Sequence, residues 1–133
     1  MPVPEYQSIF FAIEQRDLAL PLLVTGMGVN HSQYKVVREN GYECYHYFRC
    51  TAGEGAVEAG QQRFVLRRNM GMILFPGEPH LYYPTQEPWL VDWVTFDGGS
   101  VAAVLSYLEI DRSTAFDHPY PKSRRPACGN WRS

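Results

Sequence analysis

Apolar residues in this chain occur in short runs cut by glycine and proline, with strand-like spacing almost throughout and helical spacing once. The clearest alternation lies in 43–51, which places Cys44, His46, Phe48 and Cys50 on one face of a strand and Tyr45, Tyr47 and Arg49 on the other. Rings on both faces predict that both are at least half covered. Ahead of it, Tyr34-Lys-Val-Val-Arg38 reads as a strand, and Glu39-Asn40-Gly41 predicts a tight hairpin into 43–51. Beyond 52–55, Ala56–Ala59 and Arg63–Leu66 form a second hairpin about Gly60-Gln61. Arg67-Arg68-Asn69 turns the chain into a strand over Met72–Phe75, Asn69 tolerating the left-handed backbone such a turn needs. Pro76-Gly77, Pro84 and Pro88 predict a proline-locked turn region before a longer apolar strand, Trp89–Phe96.

The two ends read differently. Residues 1–19 form an arm, followed by a strand near 20–25 and a glycine-rich turn, Gly26-Met-Gly-Val-Asn30. After Gly98-Gly99, Ser100 offers a cap, and Val101, Val104, Leu105 and Leu108 recur at helical spacing, predicting one amphipathic helix on the outside of the sheet that ends near Ile110. Residues 111–133 lack periodicity and read as an extension or linker, leaving 1–110 as the domain. The whole pattern predicts a mainly β fold, a β-barrel or jelly roll with at least one C-terminal amphipathic helix.

Composition narrows the function. A length of 133 residues suits one domain with its own core, and 45% hydrophobic content with 14% aromatic residues suits a β-rich globular unit. A net charge of −2, with basic residues scattered, supplies no stripe for nucleic acid. No apolar run reaches the ~18 residues of a membrane span, and Met1-Pro-Val-Pro is no export signal, so a cytoplasmic protein without membrane association is expected. Cys44 and Cys50 are about 20 Å apart on an extended strand and read as reduced thiols.

The stretch 71–98 also carries a family resemblance. A strand ending in Pro76-Gly77 is followed by Pro79-His80, Tyr82, Pro88-Trp89 and a Trp93-Val-Thr-Phe96 strand. This series resembles the core of the effector-binding domain of AraC-type bacterial transcription regulators, and the likeness extends over roughly 20–110. Arg68-Asn69-Met70 departs from the family's Pro-Gly-Asp turn. The resemblance implies a cupin-like barrel, a small-molecule effector, a homodimer, and contact with DNA only through a separate helix-turn-helix domain that these residues do not contain. It further implies that the arm folds over the barrel mouth when effector is bound. Arg38 matches the arginine that contacts sugar in the family's arabinose-responsive member. His80 and Tyr82 match its His-x-Tyr, and Trp93 matches the tryptophan that stacks on the sugar ring. His46 is the further ring-bearing candidate. The implied effector is a saccharide or a similarly polyhydroxylated molecule, with an uncharged one favoured because Arg38, the one obvious cation of the site, can serve hydroxyls as readily as an acid; an acidic effector is the alternative.

The alternative is a stand-alone cupin-like enzyme, a metal-dependent oxygenase or isomerase. A cupin metal site needs two histidines one residue apart on a strand, then a glutamate and a third histidine, so that alternate side chains share one ion. Counting from Gly41 puts Tyr47 and Arg49 at the paired positions, and a guanidinium repels a cation. Nor does a Gly-x-Ser-x-Gly elbow or a phosphate loop occur. Neither catalytic residues, nor a metal, nor a cofactor is therefore expected.

Overall fold

A computed structural model describes residues 7–117. Eight strands form one antiparallel sheet: β1 (Gln7–Phe10), β2 (Leu23–Ser32), β3 (Val36–Arg38), β4 (Tyr45–Ala59), β5 (Gln62–Leu66), β6 (Met70–Leu74), β7 (His80–Asp97) and β8 (Thr114–Asp117). A 3-10 turn spans Gln15–Ala19, and helix α1 spans Val101–Tyr107. Two long strands organise everything. β4 and β7 pair from Tyr45↔Phe96 to Ala59↔His80, and both bend midway, where the register slips between Cys50 and Gly55. On one side of the bend the order is β1-β2-β7-β4-β6-β8; on the other, β3 joins β7 and β5 joins β4. The sheet thereby folds over itself into a cupin-like jelly roll.

Glycine makes the bend possible. Gly53 adopts φ 75°, and a Cβ there would lie 2.1 Å from the Pro88 carbonyl oxygen. A Cβ on Gly55 would lie 2.3 Å from three atoms of the Trp89 indole. Without those side chains Trp89 turns inward and is buried with Phe48, Cys50, Val57, Leu66, Met72, Tyr82 and Val91. Each large apolar side chain so buried contributes roughly 1.5–3 kcal/mol. Across the bend the inward positions of β7 change parity, from His80 and Tyr82 to Trp89, Val91 and Thr95. A second cluster lies on the sheet's outer face, where Val101 and Leu105 of α1 pack on Ile73, Tyr45, Tyr47 and Phe96.

Several expectations are corrected. The segment 84–88 is no turn between strands but the bent middle of β7, where Pro84 still pairs with Gly55 and the register against β4 shifts between Pro84 and Leu90. Similarly, 52–55 does not end the strand; β4 runs through to Ala59. The 34–38 strand forms no hairpin with 43–51, because β3 pairs with β7 and the Gly41 turn instead packs against Gly77 and Glu78. Gly26–Asn30 lies inside β2, which runs to Ser32 rather than stopping at 25. α1 ends at Tyr107, Ser100 makes no side-chain cap, and Val104 and Leu108 remain exposed, because only Val101 and Leu105 reach the sheet. Residues 114–117, expected to lie beyond the domain, pair with β6 as its edge strand; the remainder of the expected extension, 118–133, lies outside the described residues, as do residues 1–6 of the arm. The hairpin at Gly60-Gln61 and the turn at Asn69 form as expected, with φ of 57°, 65° and 72°. No helix among the described residues is long and apolar enough to cross a membrane.

Candidate ligand-binding site

The fold of the sheet encloses a cavity of about 410 Å³. β3 lends Val36 and Arg38, β4 His46, and β7 Tyr82, Trp93 and Thr95. β1 and β2 close it with Ser8, Phe10 and His31, while Gln33 and Tyr42 enter from connecting segments. Four of the five residues singled out in the sequence, Arg38, His46, Tyr82 and Trp93, thus meet in one space. The fifth, His80, stands behind them.

Arg38 faces His80 directly across the β3–β7 pairing, and Val36 faces Tyr82. Its Nη1 lies 3.0 Å from His80 Nε2 and donates to the Tyr82 hydroxyl at 2.9 Å. His80 Nδ1 lies 3.1 Å from the Glu78 carbonyl oxygen. A carbonyl can only accept, so Nδ1 carries the proton and Nε2 is left as the acceptor for Arg38. Burial holds the His80 imidazole below its ordinary pKa, outweighing the help of the Glu78 carbonyl, so this neutral tautomer persists at pH 7. The guanidinium is further held against two rings, 4.8 Å from the centre of Tyr42 and 5.6 Å from that of Tyr82. Burial pushes the Tyr82 hydroxyl up, which keeps it protonated and able to donate into the cavity.

Trp93 owes its place to a glycine opposite it. Gly28 pairs with Trp93, and a Cβ there would lie 2.3 Å from the indole Nε1. Phe10 of the arm lies over the same indole, ring centres 5.4 Å apart, and His46 meets it edge-on at 6.1 Å. Thr95 is held by a hydrogen bond with Thr25, their hydroxyl oxygens 2.7 Å apart. His46 is buried, and its Nδ1 has no hydrogen-bond partner among the described residues. Burial, reinforced by Arg38, His80 and His31, pushes its pKa down to about 3, so it is neutral near pH 7. His31, Gln33, Tyr42 and Thr95 are site residues that sequence reasoning missed. His31 comes after a register slip in β2 at Asn30, where φ is 50°; an asparagine, which tolerates that backbone, directly before a histidine is the available signal.

Burial also settles which face of β4 points inward. His46, Phe48 and Cys50 face the core, whereas Arg49 is exposed and Tyr47 packs toward α1. The count that put Tyr47 and Arg49 at metal-ligand positions was therefore off by one. At the corrected positions a lone histidine is paired with Phe48, and the guanidinium of Arg38 occupies the same cavity. Glu54 sits apart with Arg67 and Thr85. This donor set does not fit a divalent cation, and the described residues contain no group of three or more His, Cys, Asp or Glu able to hold one.

The AraC-like ligand-binding domain profile matches residues 30–129 of the sequence. The chain belongs to this family. No curated protein sequence matches it. Solved structures similar to this AraC-like domain include a cupin 2 conserved barrel domain protein from Salinispora arenicola, at 12% identity and TM-score 0.46, over 77% of this chain and 84% of that one. Salicylate 1,2-dioxygenase from Pseudoaminobacter salicylatoxidans is similar at 12% identity and TM-score 0.46, over 87% and 30% of the two chains. A Streptomyces albus enzyme solved with 2-hydroxyethylphosphonate and Fe(II) is similar at 13% identity and TM-score 0.43, over 80% and 27%.

Proposed function

We propose that this AraC-like domain is the effector-sensing and dimerisation module of a transcriptional regulator, taking a saccharide in the cavity and acting on DNA only through a separate helix-turn-helix domain. In this reading it transduces rather than catalyses, as a homodimer in the cytoplasm. The observation that carries it is the convergence of Arg38, fixed by His80 and Tyr82, with the Trp93 ring on one cavity. A sugar presents an apolar C–H face and a rim of hydroxyls, which an indole and a planar multidentate donor complement. The N-terminal arm supplies the route for a signal. Ser8 and Phe10 of β1 line the same cavity, so a bound ligand favours the state in which the arm is docked, and the segment about Ser8 and Phe10 acts as a lid.

The test is a saccharide panel screened by thermal shift on the purified chain. A binder well above its Kd is expected to raise the melting temperature in proportion to the logarithm of its concentration, and Trp93→Ala should require about ten-fold or more ligand for the same rise. Stoichiometric iron, zinc or manganese in the protein, together with oxygenase or isomerase turnover and no saccharide response, would overturn the proposal in favour of a cupin-like enzyme.

A further inference from the structure

The charges around the cavity identify the effector more narrowly. Among the described residues Arg38 is the one lining residue with a formal charge near neutral pH and none that lines the cavity is an aspartate or glutamate, while burial keeps His46 neutral. Both Nη1 contacts of Arg38 go to neutral acceptors, His80 Nε2 and Tyr82 Oη, and the ion pairs among the described residues do not include it. A guanidinium half-removed from water and unmatched by a carboxylate among the described residues is the open half of a charge-assisted pair. The second sign is the buried Nδ1 of His46, which lines the same cavity and has no partner among the described residues. Buried polar atoms in native proteins are normally satisfied, so this one offers a hydrogen-bonding position to a molecule that enters. Further polar groups facing the space, among them those of Ser8, Gln33, Tyr42, Tyr82 and Thr95, are neutral donors and acceptors suited to hydroxyls.

We infer that the effector is a monosaccharide acid of the uronate class, whose carboxylate seats on Arg38 while its ring face lies on Trp93. This rests on the effector-pocket reading above and revises the expectation of an uncharged sugar. Arg38 pairs the carboxylate in the bidentate geometry that a lone hydroxyl cannot match. His46 Nδ1 takes a ring or hydroxyl partner, and Tyr82 donates its hydroxyl proton to the acid or to an adjacent oxygen.

Calorimetry decides it, with D-galacturonate and D-glucuronate compared against D-galactose and D-glucose on the whole chain. At least one acid should bind about ten-fold or more tightly than its neutral parent. Arg38→Gln should bring that acid down to the parent's affinity, and Arg38→Lys should retain part of the difference, both variants first being shown by melting to be folded. A neutral sugar that binds as tightly as its acid overturns the inference while leaving the sensing proposal standing. Benzoate binding as tightly as the uronates overturns the saccharide part and leaves an anion site. Failure of all four sugars to bind the folded parent overturns the inference outright, and the broader thermal-shift panel then judges the sensing proposal separately.

Discussion

Lowering the pH should destabilise this domain chiefly through His46, and the size of the effect can be worked out. In the unfolded chain an imidazole has a pKa near 6.5. In the folded protein His46 is pushed down to about 3, first by burial and then by the neighbouring Arg38, His80 and His31. Between those values the unfolded state binds a proton that the folded state refuses, so stability falls as pH drops below 6.5 and levels off only near 3. Integrated from pH 7 to pH 5, the loss from this one group is about 2 kcal/mol, or about 8 °C in melting temperature for a domain of this size. The figure hardly depends on the folded value as long as it lies below about 4. His31 and His80 are also held below their ordinary pKa by burial, so the parent should lose somewhat more than His46 alone dictates. The assay is urea unfolding at both pH values for the parent and for His46→Phe, whose ring keeps the packing with Phe48 and Trp93; His46→Asn serves as a second non-titrating control. The variants should show about 2 kcal/mol less pH dependence than the parent. Equal losses in parent and variants would refute the assignment of His46 as a buried neutral group.

Gly28→Val should displace the Trp93 indole, costing about 1–3 kcal/mol in unfolding experiments and abolishing ligand binding even where the fold survives. Gly55→Ala should cost at least as much stability, read by melting, because the added methyl falls on the ring of buried Trp89. Since His80 acts by holding Arg38, His80→Leu should weaken ligand binding several-fold in calorimetry, and the His80→Leu/Arg38→Ala double variant should bind no worse than Arg38→Ala alone; additive losses would mean that His80 touches the ligand itself.

Sequence pattern sufficed for the elements that depend on near neighbours. The Gly60-Gln61 hairpin and the Asn69 turn follow from which residues accept positive φ, and the 89–96 strand follows from its apolar run. What failed were features decided by distant residues. That β3 joins β7 rather than β4 depends on a pairing more than forty positions away, between Arg38 and His80, which no local pattern contains. Gly26, Gly28, Gly53 and Gly55 read as punctuation, yet they lie inside strands. Gly28 and Gly55 leave room for Trp93 and Trp89, whose demands appear only once the sheet has folded. Prolines 84 and 88 likewise read as breakers because a bent strand and a turn look alike in one dimension. Arg38, Tyr82 and Trp93 were found through motif resemblance, whereas Tyr42 and His31 were missed because a turn and a bulge, rather than alternation, bring them to the cavity.

The central claim is that the effector sits in the cavity between Arg38 and Trp93. Calorimetric titration of the best sugar or sugar acid into the parent, Arg38→Ala and Trp93→Ala, each verified as folded, tests it most directly. Removing one multidentate donor or one stacking platform, worth about 1–3 kcal/mol, should weaken binding about ten-fold or more in each variant. Binding by both variants with the parent's affinity would place the ligand elsewhere and contradict the account.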